Sequence, residues 1–300
     1  MRRLLTILIL LSQCAVPNLG TEGPISESLA SMVETERRFA RTSVEKGMRE
    51  AFLTYFADDG INFNPQLVNT KETMRKRPAT PSAFTLNWSP VYGGVAIAGD
   101  LGYLTGPYEL TVHSPQPRPP QYGCYFSIWK KQPDGKWRVA VDVGIKTPLL
   151  VAPLDSSFEA APQTPPPARN ELKAADHRSI LIQRDREFER AATARGFMRA
   201  FQDYASVEAR LYRDELVPLV GNKAIDEYLA QQNREVKWQP MRVDVSRSGD
   251  LGYTVGSYDS KSIDRSTTEK GYYVRVWKQG AKEGWKVIFD ITSPLPAETK

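Results

Sequence analysis

Gly99-Asp-Leu-Gly-Tyr103 recurs letter for letter as Gly249-Asp-Leu-Gly-Tyr253, and the match extends outward in both directions. Downstream, Gly106 and Tyr108 stand at the spacing of Gly256 and Tyr258. Further on, Gly123, Tyr125, Trp129, Lys130, Trp137, Val139 and Asp142 match Gly271, Tyr273, Trp277, Lys278, Trp285, Val287 and Asp290. Upstream, Trp88-Ser-Pro90 matches Trp238-Gln-Pro240, and Phe39 to Tyr55 aligns without gaps on Phe188 to Tyr204. The offsets are 149, 150 and 148 residues, so small insertions separate the blocks. A period near 150 is too long for a solenoid unit and describes a duplicated domain.

Between the copies, five prolines fall within Pro153 to Pro167. Proline fixes φ and removes a backbone donor, so this stretch reads as a stiff, extended linker. The expected organisation is a leader over 1–20, a first domain over 29–150, a Pro-rich linker over 151–176 and a second domain over 177–296.

Each copy has the same internal grammar. Val33, Phe39 and Ala40 share one helical face, as do Ile182, Phe188 and Ala192. Gly47 and Gly196 predict a break before a second short helix, and Asp58-Asp59-Gly60 predicts another. A short helix is expected around Glu72 to Arg77, matched by Lys223 to Gln231. The period then changes to two, with strands expected over Val91–Ala98, Gly102–Val112, Tyr122–Lys131 and Trp137–Ile145. Pro133-Asp134-Gly135 is a hairpin turn signal. Helices followed by an antiparallel meander make an α+β fold, here twice in tandem.

The chain has 300 residues, is 41% hydrophobic and 25% charged, and carries a formal charge of +5. Those values fit a globular protein and exclude a disordered, collagenous or multi-span membrane chain. Met1-Arg2-Arg3 followed by Leu4 to Leu11 has the charged and apolar regions of a secretory signal peptide, and is too short to span a bilayer. Export to the periplasm or beyond is expected. Leu11-Ser12-Gln13-Cys14 resembles a bacterial lipoprotein cleavage box, although Gln13 is larger than the usual residue there, so anchoring at Cys14 is the alternative. Cys124 would be the remaining thiol of the body and reads as a small buried hydrophobe. Basic and acidic residues are interspersed, which leaves no electrostatic footprint for nucleic acid.

Taken together, Glu36-Arg-Arg-Phe39, Tyr55-Phe-Ala-Asp-Asp59, the Gly-Asp-Leu-Gly-Tyr…Gly-x-Tyr strand and the Tyr-x-x-x-Trp-Lys…Gly-x-Trp…Asp hairpin resemble the nuclear transport factor 2-like, or SnoaL-like, superfamily. The resemblance spans both copies. It implies, for each, a cone in which a curved antiparallel sheet wraps around the N-terminal helices and encloses a pocket. That superfamily includes isomerases, dehydratases, cyclases, epoxide hydrolases, immunity proteins and binding modules, so it does not fix an activity.

Standard catalytic constellations are missing from the sequence. The two histidines, His113 and His177, fall in different copies, and no His/Cys cluster suits zinc. There is no Gly-x-Ser-x-Gly elbow and no P-loop. No cofactor is expected. Tyrosine and carboxylate remain. Asp142 lies inside the apolar run Val139 to Val143, where a carboxylate is costly to bury unless paired. Glu109 lies two residues past Pro107 on the strand Gly102–Val112. Desolvation raises a carboxyl pKa, so Asp142 and Glu109 are the candidate catalytic pair, with Tyr55, Tyr103 or Tyr125 beside them. Tyr55, Tyr103, Tyr125, Tyr204, Tyr253, Tyr273 and Asp290 are the candidate ligand-binding residues. Their retention in both copies equally suits a role in the fold. Three functions stay open: binding of a small apolar or aromatic ligand in the cone, an isomerase or dehydratase with a tyrosine–carboxylate proton shuttle, and a pairing module. In the last, the copies form an internal pseudo-dimer, or the chain a homodimer.

Overall fold

The computed structural model describes residues 26–79, 83–113, 116, 118–163, 174–264, 266–280 and 283–297. The leader, Cys14 and the proline cluster at 165–167 lie outside these residues.

In the first half, α1 (Glu27–Lys46) begins at Ser26, whose hydroxyl accepts from the Leu29 amide at 3.3 Å. It buries the stripe Leu29, Met32, Val33, Glu36, Phe39, Ala40 and Ser43. Apolar residues at helical spacing explain that stripe, with one acid in its middle. Gly47, at φ 86°, ends the helix in a backbone region that disfavours side chains. α2 (Met48–Tyr55) follows, then β1 (Phe56–Asn64), β2 (Gln66–Asn69), α3 (Thr70–Arg75), β3 (Phe84–Trp88), β4 (Tyr92–Val95), β5 (Leu101–Val112), β6 (Arg118–Lys131), β7 (Trp137–Thr147) and β8 (Glu159–Ala160). The sheet runs β2-β1-β7-β6-β5-β4-β8, with β3 also on β5.

The second half repeats this plan. It has α4 (Ala174–Arg195), α5 (Phe197–Tyr204), β9 (Ala205–Tyr212), β10 (Leu219–Val220), α6 (Asn222–Ala230), β11 (Arg234–Val245), β12 (Leu251–Ser262), β13 (Thr268–Gly280) and β14 (Gly284–Pro294). Its sheet order is β10-β9-β14-β13-β12-β11. Gly196, at φ 84°, breaks the helices as Gly47 does.

Two expectations change. Asp58-Asp59-Gly60 is not a break between elements but an irregularity inside β1, where the register on β7 slips between Phe56 and Ile61. The sheets are also not wholly antiparallel: β1 on β7 and β9 on β14 are parallel. In each half the strand leaving the second helix lies beside the strand that closes the meander, β7 or β14, a pairing that the local turn signals do not encode.

Each sheet has two covered faces. In the first half, Phe39, Phe52, Phe56, Leu104, Trp129, Trp137 and Val139 pack between sheet and helices. Phe188, Phe201, Trp238, Trp277, Trp285 and Val287 do so in the second. A third cluster joins the halves: Tyr103, Phe126, Ile128, Val141, Val143 and Ile145 pack with Tyr212, Tyr253, Val255, Val274, Val276, Phe289 and Ile291. Phe289 lies 4.8 Å from the Phe126 ring and 5.2 Å from Tyr103. Cys124 belongs to this core, where burial pushes its thiol up to about 12.

The repeated loops meet at the edge of this interface. The Ile97 amide donates to Asp250 Oδ2 at 3.0 Å, and the Arg247 amide donates to Asp100 Oδ2 at 3.1 Å. Residues 97 and 247 are equivalent, as are Asp100 and Asp250, so the two contacts are reciprocal in the manner of a two-fold interface.

Candidate functional site

The floor of the first-half pocket comes from β6 and β7. Side chains alternate along a strand, so Tyr125, Ser127 and Trp129 face the helices while Cys124, Phe126 and Ile128 face the other sheet. On β7, Trp137 and Val139 face the helices. The β6–β7 register then shifts at Ile128/Trp129, and Asp142 and Gly144 take over the pocket face. The cavity measures about 270 Å³. Its apolar walls include Phe39, Phe52, Met74, Leu86 and Trp88, with Tyr125 and Asp142 at the floor.

Two carboxyl groups sit here without a cation bonded to them. Glu36 is fully buried; its oxygens accept from the indole N–H groups of Trp88 and Trp129, each at 2.7 Å. Burial raises the carboxyl to about 8 against these hydrogen bonds, and the charge of Asp142 adds to the rise. Asp142 accepts from the Ser127 hydroxyl at 2.7 Å; desolvation raises it to about 6. The Tyr125 hydroxyl is buried with no hydrogen-bond partner. Arg77 lies at the wall, its guanidinium 3.5 Å from the sulfur of Met48.

The second half fills the same place from within. By the repeat, Asp185 stands for Glu36, Asp290 for Asp142, Tyr273 for Tyr125 and Arg275 for Ser127. Arg275 donates to Asp185 at 2.7 Å and to Asp290 at 2.5 Å. Its guanidinium lies 4.0 Å from the Trp238 ring, 4.4 Å from Tyr273 and 4.7 Å from Phe188. Arg213 adds a second contact to Asp290 at 2.6 Å. Burial works against the Asp290 charge, yet Arg275 and Arg213 hold its carboxyl below the usual range. The Tyr273 hydroxyl donates to Asp185 at 2.5 Å. A cavity of about 510 Å³ lies above this network.

The expected catalytic pair does not assemble. Glu109 sits between Tyr108 and Leu110, which both line the pocket, so its side chain leaves from the opposite face of β5. There it accepts from Thr111 at 3.2 Å. Tyr103 and Tyr253 also face away, into the core between the sheets. Tyr55 stacks on Phe39 at 5.0 Å, and Tyr204 on Phe188 at 5.0 Å with Arg184 over its ring. These two support the helices rather than line a cavity. Of the sequence candidates, Tyr125 and Asp142 meet in the first pocket, and Tyr273 and Asp290 in the second.

Glu36, Ser127, Asp185, Arg213 and Arg275 complete the two floors, and none of them is among the site residues that the sequence singles out. A signal existed for four of them. Glu36 and Asp185 are acids on the apolar stripe of a helix, and Ser127 against Arg275 is an inward-facing mismatch inside a well-matched strand. Among the described residues, no group of three or more His, Cys, Asp or Glu could hold a metal ion. No helix among them is long and apolar enough to cross a membrane.

No family model matches the chain, and no curated protein matches it. Solved nuclear transport factor 2-like proteins are what parts of it are similar to. One, of unknown function from Shewanella oneidensis MR-1, is 17% identical and has a TM-score of 0.32, covering 40% of this chain and 98% of its own. A superfamily member from Salmonella enterica subsp. enterica serovar Typhimurium str. LT2 is 15% identical with a TM-score of 0.35, covering 43% and 96%. The CaMKII hub of S. rosetta is 16% identical with a TM-score of 0.33, covering 39% and 95%.

Proposed function

We propose that this is an exported protein that binds a small, largely apolar or aromatic molecule in the first-half pocket, with the second half as its structural partner. One observation carries the reading: an apolar cavity of about 270 Å³ ends on a buried tyrosine hydroxyl without a partner and a carboxyl without a cation. Apolar walls with a few convergent polar groups are the usual make-up of a small-molecule site. The leader at Met1 to Leu11 supports export.

The isomerase or dehydratase reading is weaker. With Glu109 turned away, the second carboxyl near Asp142 is Glu36, whose oxygens are taken by the Trp88 and Trp129 indoles, and Asp142 has Ser127 as its hydrogen-bond donor. The pairing reading has its own support in the shared core and the reciprocal loop contacts, and it explains why Gly-Asp-Leu-Gly-Tyr is kept unchanged in both copies.

Gly144 provides the test. It is exposed at the pocket, and a Cβ there meets nothing closer than 3.4 Å. Gly144→Phe should fold and plug the cavity. The full chain is screened against an aromatic and aliphatic library by thermal shift, with native mass spectrometry of the purified protein for retained molecules. Hits that Gly144→Phe abolishes support the pocket. Hits that it leaves unchanged, or no hit at all, overturn the reading.

A further inference from the structure

We propose that the ligand of the first-half pocket is an organic cation, an ammonium or amidinium on an apolar body, whose charged group takes the place that the Arg275 guanidinium occupies in the second half. The inference rests on the pocket reading above and adds its ligand chemistry.

The second half shows what its floor is built to hold. The Arg275 guanidinium is clasped by Asp185 and Asp290 and packed against the rings of Phe188, Trp238 and Tyr273. Aromatic faces attract a cation, and carboxylates fix its orientation. In the first half every one of those partners is retained in kind, as Glu36, Asp142, Phe39, Trp88 and Tyr125. What is missing is the cation, because Ser127 stands where Arg275 does.

The cavity lies against these same groups. Its lining contains Phe39, Trp88, Tyr125 and Asp142, the counterparts of four of the five residues that hold Arg275. The fifth, Glu36, lies behind the indoles of Trp88 and Trp129. The Tyr125 hydroxyl adds an independent mark. Its counterpart Tyr273 donates to Asp185 beside the guanidinium, whereas Tyr125 is buried with no partner. A buried polar group left unsatisfied is costly, and a ligand seated at the floor would relieve it. Arg77 does not replace the missing charge, since its guanidinium donates to the Met48 sulfur. An anion at the floor would meet Asp142 and a sheath of ring faces, both repulsive, with Arg77 at the wall.

Calorimetry on the purified full chain tests this with four probes of one shape: benzylammonium, benzamidinium, benzyl alcohol and benzoate. Either cation should bind about tenfold more tightly than benzyl alcohol, with no detectable benzoate binding. Asp142→Asn should reduce the preference for the cation below about threefold while benzyl alcohol binding persists. Ser127→Arg should carry its own guanidinium to the floor, raise the thermal midpoint and abolish cation binding. If that variant does not fold, the Asp142→Asn result decides. Equal binding of benzylammonium and benzyl alcohol, both lost in Gly144→Phe, would keep the pocket and refute the charge. Cation binding that survives Gly144→Phe would place it elsewhere and refute both, and so would no binding by any probe combined with a library screen without hits.

Discussion

The floors of the two halves are one framework in two electrical states. In the second half, two buried carboxylates hold two arginines, and the place is filled by the chain itself. In the first, a buried and a half-buried carboxyl face two indoles and a serine, and the place opens into a cavity. The difference turns chiefly on Ser127 against Arg275, with Arg213 as a further cation on Asp290. One framework can thus carry a cation of its own chain at one floor and none at the other, with a cavity above each. Removing Arg275 attacks this comparison most directly. Breaking a buried pair by deleting one partner leaves uncompensated charge and costs about 3–5 kcal/mol. Arg275→Ser should lose that much stability in urea unfolding. A loss below about 1 kcal/mol would show that the second floor tolerates an empty cation place, and the contrast between the halves would fail.

The two floors should also respond oppositely to pH. Glu36 and Asp142 have folded values of about 8 and about 6, above the ordinary 4.5 and 3.8. Between these values the folded chain holds protons that the unfolded chain has released, so the stability is present at low pH and is lost as pH rises. Asp290 and Asp244 are held below the usual carboxylate range, so their contribution is lost on acidification instead, below about pH 4. Between pH 5 and pH 8 the first floor should therefore decide the trend. The groups facing it are the Trp88 and Trp129 indoles, Ser127, Tyr125 and, at the wall, Asn62 and Arg77. A loss of several kcal/mol over that window is expected in the natural chain, with a smaller loss in Ser127→Arg. Equal slopes in the two proteins would mean that these carboxyls are not held protonated.

At the reciprocal loops the asymmetry is smaller and reversed. Asp250 accepts from the Ile97 amide on one oxygen and from Ser246 and Ser248 on the other. Asp100 accepts from the Arg247 amide and guanidinium on Oδ2, while its Oδ1 is buried and unpaired. The cause is local, because Ala96 and Ala98 stand where Ser246 and Ser248 do. Asp250→Ala should cost about 2 kcal/mol and Asp100→Ala about half of that, by denaturant titration. The reverse order would undo the assignment of these loops as a reciprocal clasp.

Much of this architecture was legible in the repeat. Gly47, Gly196, the period-two strands and the Pro133-Asp134-Gly135 turn each carry a local physical signal, and the helix and strand boundaries follow them closely. The parallel seating of β1 beside β7 left no such trace, because the pairing partner is some 80 residues away. At the site, Asp142 stood out as a charge in an apolar run. Glu109 was misplaced because strand parity, and not strand membership, decides which face a side chain joins. Glu36 reads as part of a fold motif, since an acid on a helix is ordinarily solvated; only its place on the stripe of Met32, Phe39 and Ala40 sets it apart.

The smallest expected effect separates the joint between the halves into core and rim. Asp59 pairs with Arg242 across the interface at 2.5 Å, but its side chain is 78% exposed. Asp244 takes Lys130 from the other half and Arg178 from its own, and its side chain is only 11% exposed. Exposed pairs gain little, since water and salt screen them and ordering long side chains costs entropy. Asp59→Asn should change stability by less than about 0.5 kcal/mol, and the change should vanish in high salt. Asp244→Asn should cost more and keep most of its effect there, because burial limits screening. If Asp59→Asn cost as much as Asp244→Asn, the halves would be held by charge at the rim, and the apolar cluster around Phe289 would be the lesser part of the joint.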